Sequence, residues 1–139
     1  SGERPEAWFY DSGYVQVANS QYTSDLADHT AHIVNLAHRP ETKDGNQLSR
    51  RPRMFSSDAY KRYLLSSHGT DIFSERILPE MRCIAAQALA TVHPQHCETA
   101  KWKRLGYDFA VGEDFKVWLV EINHRSGMGA PSNPRGDML

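Results

Sequence analysis

Cysteine is scarce in this chain, which holds only Cys83 and Cys97 among its 139 residues. Two thiols cannot build the bridged framework of a small secreted scaffold. Cys83 also falls inside an apolar helical pattern, so the cysteines read as reduced thiols and the chain as cytoplasmic. Long hydrophobic runs are missing too: no apolar stretch reaches the roughly 18 residues of a membrane-spanning helix. The N-terminal Ser1-Gly2-Glu3-Arg4-Pro5 lacks the apolar centre of a secretory leader. Neither sign of charge dominates, with 16 basic and 17 acidic residues. That balance makes no demand for nucleic acid or a membrane surface as partner. What is present is an ordinary hydrophobic share of 40% in a chain long enough to bury a core, read as one domain over 1–139.

The informative stretch is 105–128, LGYDFAVGEDFKVWLVEINHRSGM. Residues 115–123 alternate as a strand, with Phe115, Val117, Leu119, Glu121 and Asn123 on one face and Lys116, Trp118, Val120 and Ile122 on the other. Residues 107–111 form a second candidate strand, and Gly112-Glu113-Asp114 is a credible reversal between them. An even loop pairs 111 with 116, which sets Asp108 opposite Leu119 and diagonal to Glu121. An odd loop sends Asp108 to the other face. In the even register Asp108, Glu121 and Asn123 share one apolar sheet face. Two carboxylates and a carboxamide there need a cation to satisfy them, and oxygen-only ligands suit Mg²⁺. The alternative is a solvent-facing hairpin with no ligand at all.

The string Gly106-Tyr107-Asp108-Phe109, an acidic turn, then Lys116-Val117-Trp118-Leu119-Val120-Glu121-Ile122-Asn123 resembles the C-terminal signature of the tubulin tyrosine ligase-like family of ATP-grasp ligases. The resemblance implies that Asp108, Glu121 and Asn123 hold Mg²⁺ on ATP. It implies further that His32-Ile33-Val34-Asn35, similar to the family's His-Leu-Thr-Asn motif, is a short extended piece in which His32 and Asn35 position nucleotide or substrate. Two departures matter. Val34 replaces a hydroxyl by a methyl, and Gln16 stands where aligning Tyr10 and Gly13 on the family's Tyr-x-x-Gly-x-x-Arg segment places a phosphate-neutralising arginine. A neutral amide cannot replace an always-charged guanidinium that forks onto phosphate.

The rest of the chain reads more plainly. Residues 7–10 and 14–18 flank Asp11-Ser12-Gly13 and suggest a first hairpin. Residues 40–53 form a flexible loop ending in Arg50, Arg51 and Arg53, whose charge could attract an acidic peptide such as a tubulin tail, or nucleic acid, but the run is too short to define a footprint and a solvated loop is the favoured reading. Ser56 or Ser57 caps a helix over about 57–67. A second helix covers about 71–93, with Pro79 either in its first turn or at the meeting of two short helices. Residues 124–139 make an irregular tail. The histidines at 29, 32 and 38 and the group His93, His96 and Cys97 lack zinc-site spacing.

These elements predict an α+β fold: an antiparallel sheet of two hairpins plus the His32 segment, with helices packed on one face, like the C-terminal subdomain of an ATP-grasp ligase. By resemblance the reaction is ATP-dependent peptide–amino acid ligation. A carboxylate is phosphorylated and an amine attacks the acyl phosphate, forming the amide and releasing phosphate, with Mg²⁺ and ATP as cofactors. The resemblance covers only the C-terminal part of that catalytic module, so the isolated chain is expected to be inactive. The alternative function is a degenerate, non-catalytic ligase-like module that docks a protein, pairs with the missing ligase half or self-associates.

Overall fold

The computed structural model describes residues 6–34, 52–91 and 102–124. Its elements run β1 (Tyr14–Val17), α1 (His29–His32), β2 (Arg53–Ser56), α2 (Ser57–His68), a π-helical turn (Phe73–Ile77), α3 (Leu78–Thr91), β3 (Gly106–Val111) and β4 (Val117–Asn123). Among the described residues they make two separate two-stranded antiparallel sheets, β1 with β2 and β3 with β4. The fold is therefore α+β, as the sequence suggests. The chain divides into two compact units. Among the described residues, 12–34 and 52–63 belong to one, and 6–11, 64–91 and 102–124 to the other.

In the first unit β1 does not pair with residues 7–10, which form no strand. It pairs instead with β2, Tyr14 opposite Ser56 and Val17 opposite Arg53. The expected local hairpin is thus corrected to a long-range pairing. Gly13 and Ser57 clamp its end, since Ser57 N–H donates to the Gly13 carbonyl at 3.0 Å and Gly13 N–H to Ser57 Oγ at 3.2 Å. Ser56 resolves the choice of cap: its Oγ accepts from Ala59 N–H at 3.1 Å, satisfying one of the donors that a helix start leaves open. Pro52, Phe55 and Ala59 are buried in this unit. Arg53, expected at the end of a loop, lies in β2, and residues 40–51 of that loop, Arg50 and Arg51 included, lie outside the described residues.

The second unit holds the C-terminal turns of α2, which end at Gly69. There φ is +74°, and its N–H donates to the Leu65 carbonyl at 2.9 Å. Glycine reaches that left-handed conformation without steric cost. Asp71 then opens the next helix by accepting from Ser74 N–H at 3.1 Å. Pro79 sits at the second position of α3, directly after the π turn, in which Leu78 N–H reaches back five residues to the Phe73 carbonyl. A proline has no N–H to offer and its ring collides with the carbonyl four residues earlier in α geometry. One wider turn before it lets the helix continue without a break. Leu64, Phe73, Ile77, Ala85 and Val117 form the buried core of this unit.

α3 lies against β4, and the Tyr107 hydroxyl approaches the Ala85 carbonyl at 3.5 Å. The register of the hairpin decides which face meets the helix. Tyr107 pairs with Ile122, Phe109 with Leu119 and Val111 with Val117. Directly opposed residues share a face, so these six line the helix side, where Val117 is 3% exposed and Tyr107 stacks on Phe109.

A two-carboxylate hairpin face

On the side of the hairpin away from α3, Asp108 pairs with Glu121, Ala110 with Trp118 and Gly106 with Asn123. The carboxylates thus lie on the open face, beside an exposed Trp118, and not on the apolar face with Leu119. The expected face assignment is overturned by a bulge: the pairs step from Phe109–Leu119 to Asp108–Glu121, leaving Val120 as an extra residue. Before the bulge, odd-numbered β4 residues face the helix. After it, Ile122 does.

The turn is also odd, not even. Gly112 N–H donates to the Lys116 carbonyl and Phe115 N–H to the Gly112 carbonyl, both at 2.9 Å, so Val111 meets Val117 and three residues, 113–115, make the loop. Regular alternation from there would set Asp108 against Val120. The bulge at Val120 moves Glu121 into that place. Asp108 therefore comes closer to Glu121 than the diagonal relation the sequence suggests, through two irregularities that act together.

Asn123 closes the group. Its Nδ2 lies 3.2 Å from Asp108 Oδ2 and 3.3 Å from Glu121 Oε1, so one amide donates to both acids. Asp108 holds its proton to higher pH than an ordinary aspartate. Partial desolvation is the first cause, followed by the hydrogen bond and charge of Glu121, while the Asn123 amide pulls the other way. Among the described residues no three His, Cys, Asp or Glu side chains gather at a metal-sized spacing. The protein donors here are two carboxylates and, once the amide turns its Oδ1 in place of Nδ2 toward them, Asn123, and such a set takes a hard cation only with water or phosphate oxygens completing its shell. That is how Mg²⁺ is usually held, so the residues fit the group.

His32 differs from expectation. It ends the single helical turn α1 and is not part of an extended strand. The turn forms because Asp28 caps it, accepting from Thr30 N–H at 3.0 Å and Thr30 Oγ1 at 2.6 Å, and these bonds hold the Asp28 carboxyl below its ordinary range. His32 Nε2 lies 3.0 Å from the Asp25 carbonyl, and its ring meets Tyr22 edge-on at 5.5 Å. It belongs to the first unit, whereas Asp108, Glu121 and Asn123 belong to the second. Asn35 lies outside the described residues. Gln16 stands in β1 opposite Met54.

The alternation places Phe115 and Lys116 in the strand, but β4 begins at Val117 and both belong to the turn before it. Phe115 is a non-glycine residue at φ +63°, placed just before β4, with its ring edge-on to His68 at 5.1 Å. Lys116 Nζ sits 4.1 Å above the Trp118 ring, beside the acid pair's face. A glycine three residues before Phe115 is the only signal that the turn is unusual.

Residues 3–134 match the model of the tubulin-tyrosine ligase family. This chain belongs to that family. Among curated relatives it is 31% identical to the human protein monoglycylase TTLL8, over 91% of this chain and 15% of that protein. It is 26% identical to tubulin glycylase 3B of Tetrahymena thermophila, over 89% of this chain and 11% of that protein. It is 26% identical to the rat protein named "Probable tubulin polyglutamylase TTLL9", over 91% of this chain and 27% of that protein. The chain thus spans between about a tenth and about a quarter of these family members. No helix among its described residues is long and apolar enough to cross a membrane.

Proposed function

We infer that this tubulin-tyrosine ligase family segment is the cation-holding portion of an ATP-dependent carboxylate–amine ligase, with Asp108, Glu121 and Asn123 as the protein ligands of Mg²⁺ on ATP. The observation that carries this reading is the direct opposition of two carboxylates on an open sheet face, with an amide as their shared partner. Like charges set opposite each other across a ladder are destabilising, and a divalent cation reverses the sign of that contact. When bound, Mg²⁺ supplies charge neutralisation to a transferring phosphoryl group. The chain's own contribution is placement. The bulge fixes Glu121 opposite Asp108, Asn123 orients both acids, and α3 packs behind the hairpin.

His32 and Asn35 are assigned to positioning nucleotide or substrate on the same family grounds. The names of the relatives favour glycine or glutamate as the amino acid added and an acidic tubulin tail as the acceptor. Gln16, a neutral residue, leaves phosphate neutralisation to cations elsewhere, so the isolated chain binds Mg²⁺-ATP weakly and does not turn over. A cytoplasmic location belongs to the same proposal, with a tubulin tail as the acceptor. Calorimetric titration of Mg²⁺-ATP into the chain and into an Asp108→Asn, Glu121→Gln variant tests the reading. Binding by the first and none by the second supports it, and equal heats from both refute it.

The second reading is a non-catalytic docking module, and it draws on the same open face. Trp118 and Val120, 55% and 66% exposed, flank the acids there. Absence of Mg²⁺-ATP binding together with concentration-dependent self-association would favour it.

A further inference from the structure

The acid pair depends on a register that no side chain of the pair sets. The turn from β3 to β4 has the geometry of a three-residue loop: a tight reversal closed by Phe115 N–H on the Gly112 carbonyl, followed by one residue in the left-handed region. That last place is where hairpins of this kind use glycine. Here it is Phe115, at φ +63°. Around it the loop is tightly specified. Asp114 Oδ1 accepts from Lys116 N–H at 3.0 Å, and a Cβ on residue 112 would come within 2.8 Å of that same oxygen.

We propose that Phe115 is a positioning residue for the acid pair: its left-handed backbone sets the odd loop, its ring against His68 holds it there, and the register so fixed carries Glu121 to the place opposite Asp108. An extended conformation at 115 favours the even loop, in which 111 meets 116. In that register Asp108 falls opposite Leu119, not Glu121. A one-residue slip also turns the β4 side chains over, taking Val117 off the helix side. The His68 ring sits just before Gly69, where α2 ends, so the same contact joins the helix end to the hairpin turn. This inference deepens the cation reading and rests on it for one of its two measurements.

The test compares Phe115→Gly, Phe115→Asn and Phe115→Val in the whole chain. Glycine and asparagine enter the left-handed region readily, whereas a β-branched valine does not. If Phe115 acted only as an apolar plug, valine would be the best tolerated of the three. The first readout is nuclear Overhauser contacts across the strands, Val111 to Val117 and Asp108 to Glu121. The glycine and asparagine variants are expected to keep both and the valine variant to lose both. The second readout is Mg²⁺ affinity, expected to fall by about tenfold or more in the valine variant alone, as one ligand leaves the site. If the valine variant unfolds, the stability order decides: glycine and asparagine above valine supports the proposal. Valine at or above glycine, or loss of the register in the glycine variant, overturns it. Failure of the cation reading would look different, with no Mg²⁺ binding in the parent chain and the register contacts unchanged.

Discussion

Asp108 faces Glu121 directly across the β3–β4 hairpin, and one amide, that of Asn123, donates to both carboxylates. Without a cation this arrangement opposes folding, because like charges across a ladder repel. Replacing Asp108 by Asn is therefore expected to stabilise the metal-free chain by about 0.2–1 kcal/mol. Thermal melts check this with a built-in contrast: Mg²⁺ should raise the melting temperature of the parent chain and leave that of the variant where it is.

Proton and cation compete for the same site. The Asp108 carboxyl is raised by desolvation and by Glu121, so the folded chain holds a proton that the unfolded chain has released. In the metal-free protein this group lowers stability above its folded-state pKa, and the loss is recovered as pH falls through that value. Mg²⁺ requires the charged form. Its affinity should thus decline as pH drops into the raised range, while metal-free stability moves the other way. Parallel titrations of affinity and melting temperature between about pH 4 and 7, spanning the ordinary carboxylate range and above, check the opposed slopes.

The unit behind the hairpin depends on the π turn. Ile77 has no exposed surface, and it lies in the widened turn that precedes Pro79. Ile77→Ala removes three buried carbons and is expected to cost about 2–5 kcal/mol. Urea unfolding measures it. A loss much below that range would mean the site collapses around the smaller side chain.

Much of this arrangement can be read from the residues, and the parts that cannot share a cause. The alternation in 115–123 and the Asp108 to Glu121 spacing identify the hairpin and its acids without any coordinates. The faces come out reversed because a strand pattern assumes unbroken alternation, and a single extra residue at Val120 inverts every position after it. Loop parity is hidden for a similar reason. It hangs on the φ angle of Phe115, a residue whose type favours an extended strand. The partner of β1 is lost to distance: Asp11-Ser12-Gly13 is a good local turn signal, but the pairing that forms joins residues 14–17 to residues 53–56. His32 reads as extended from its motif, yet Asp28 and Thr30 supply a cap that winds it into a helical turn. Propensity within a short window cannot register such contacts.

The central claim is that a divalent cation sits between Asp108 and Glu121. Mn²⁺, an octahedral oxygen-seeking ion like Mg²⁺, broadens nuclear magnetic resonance signals near where it binds. Titrated at low ratio into the chain, it is expected to broaden first the backbone amides of residues 107–109 and 120–123, and excess Mg²⁺ should restore them. Broadening that begins instead around Asp25 and Asp28 or the Glu113-Asp114 turn, and leaves Asp108 and Glu121 sharp, would contradict the account.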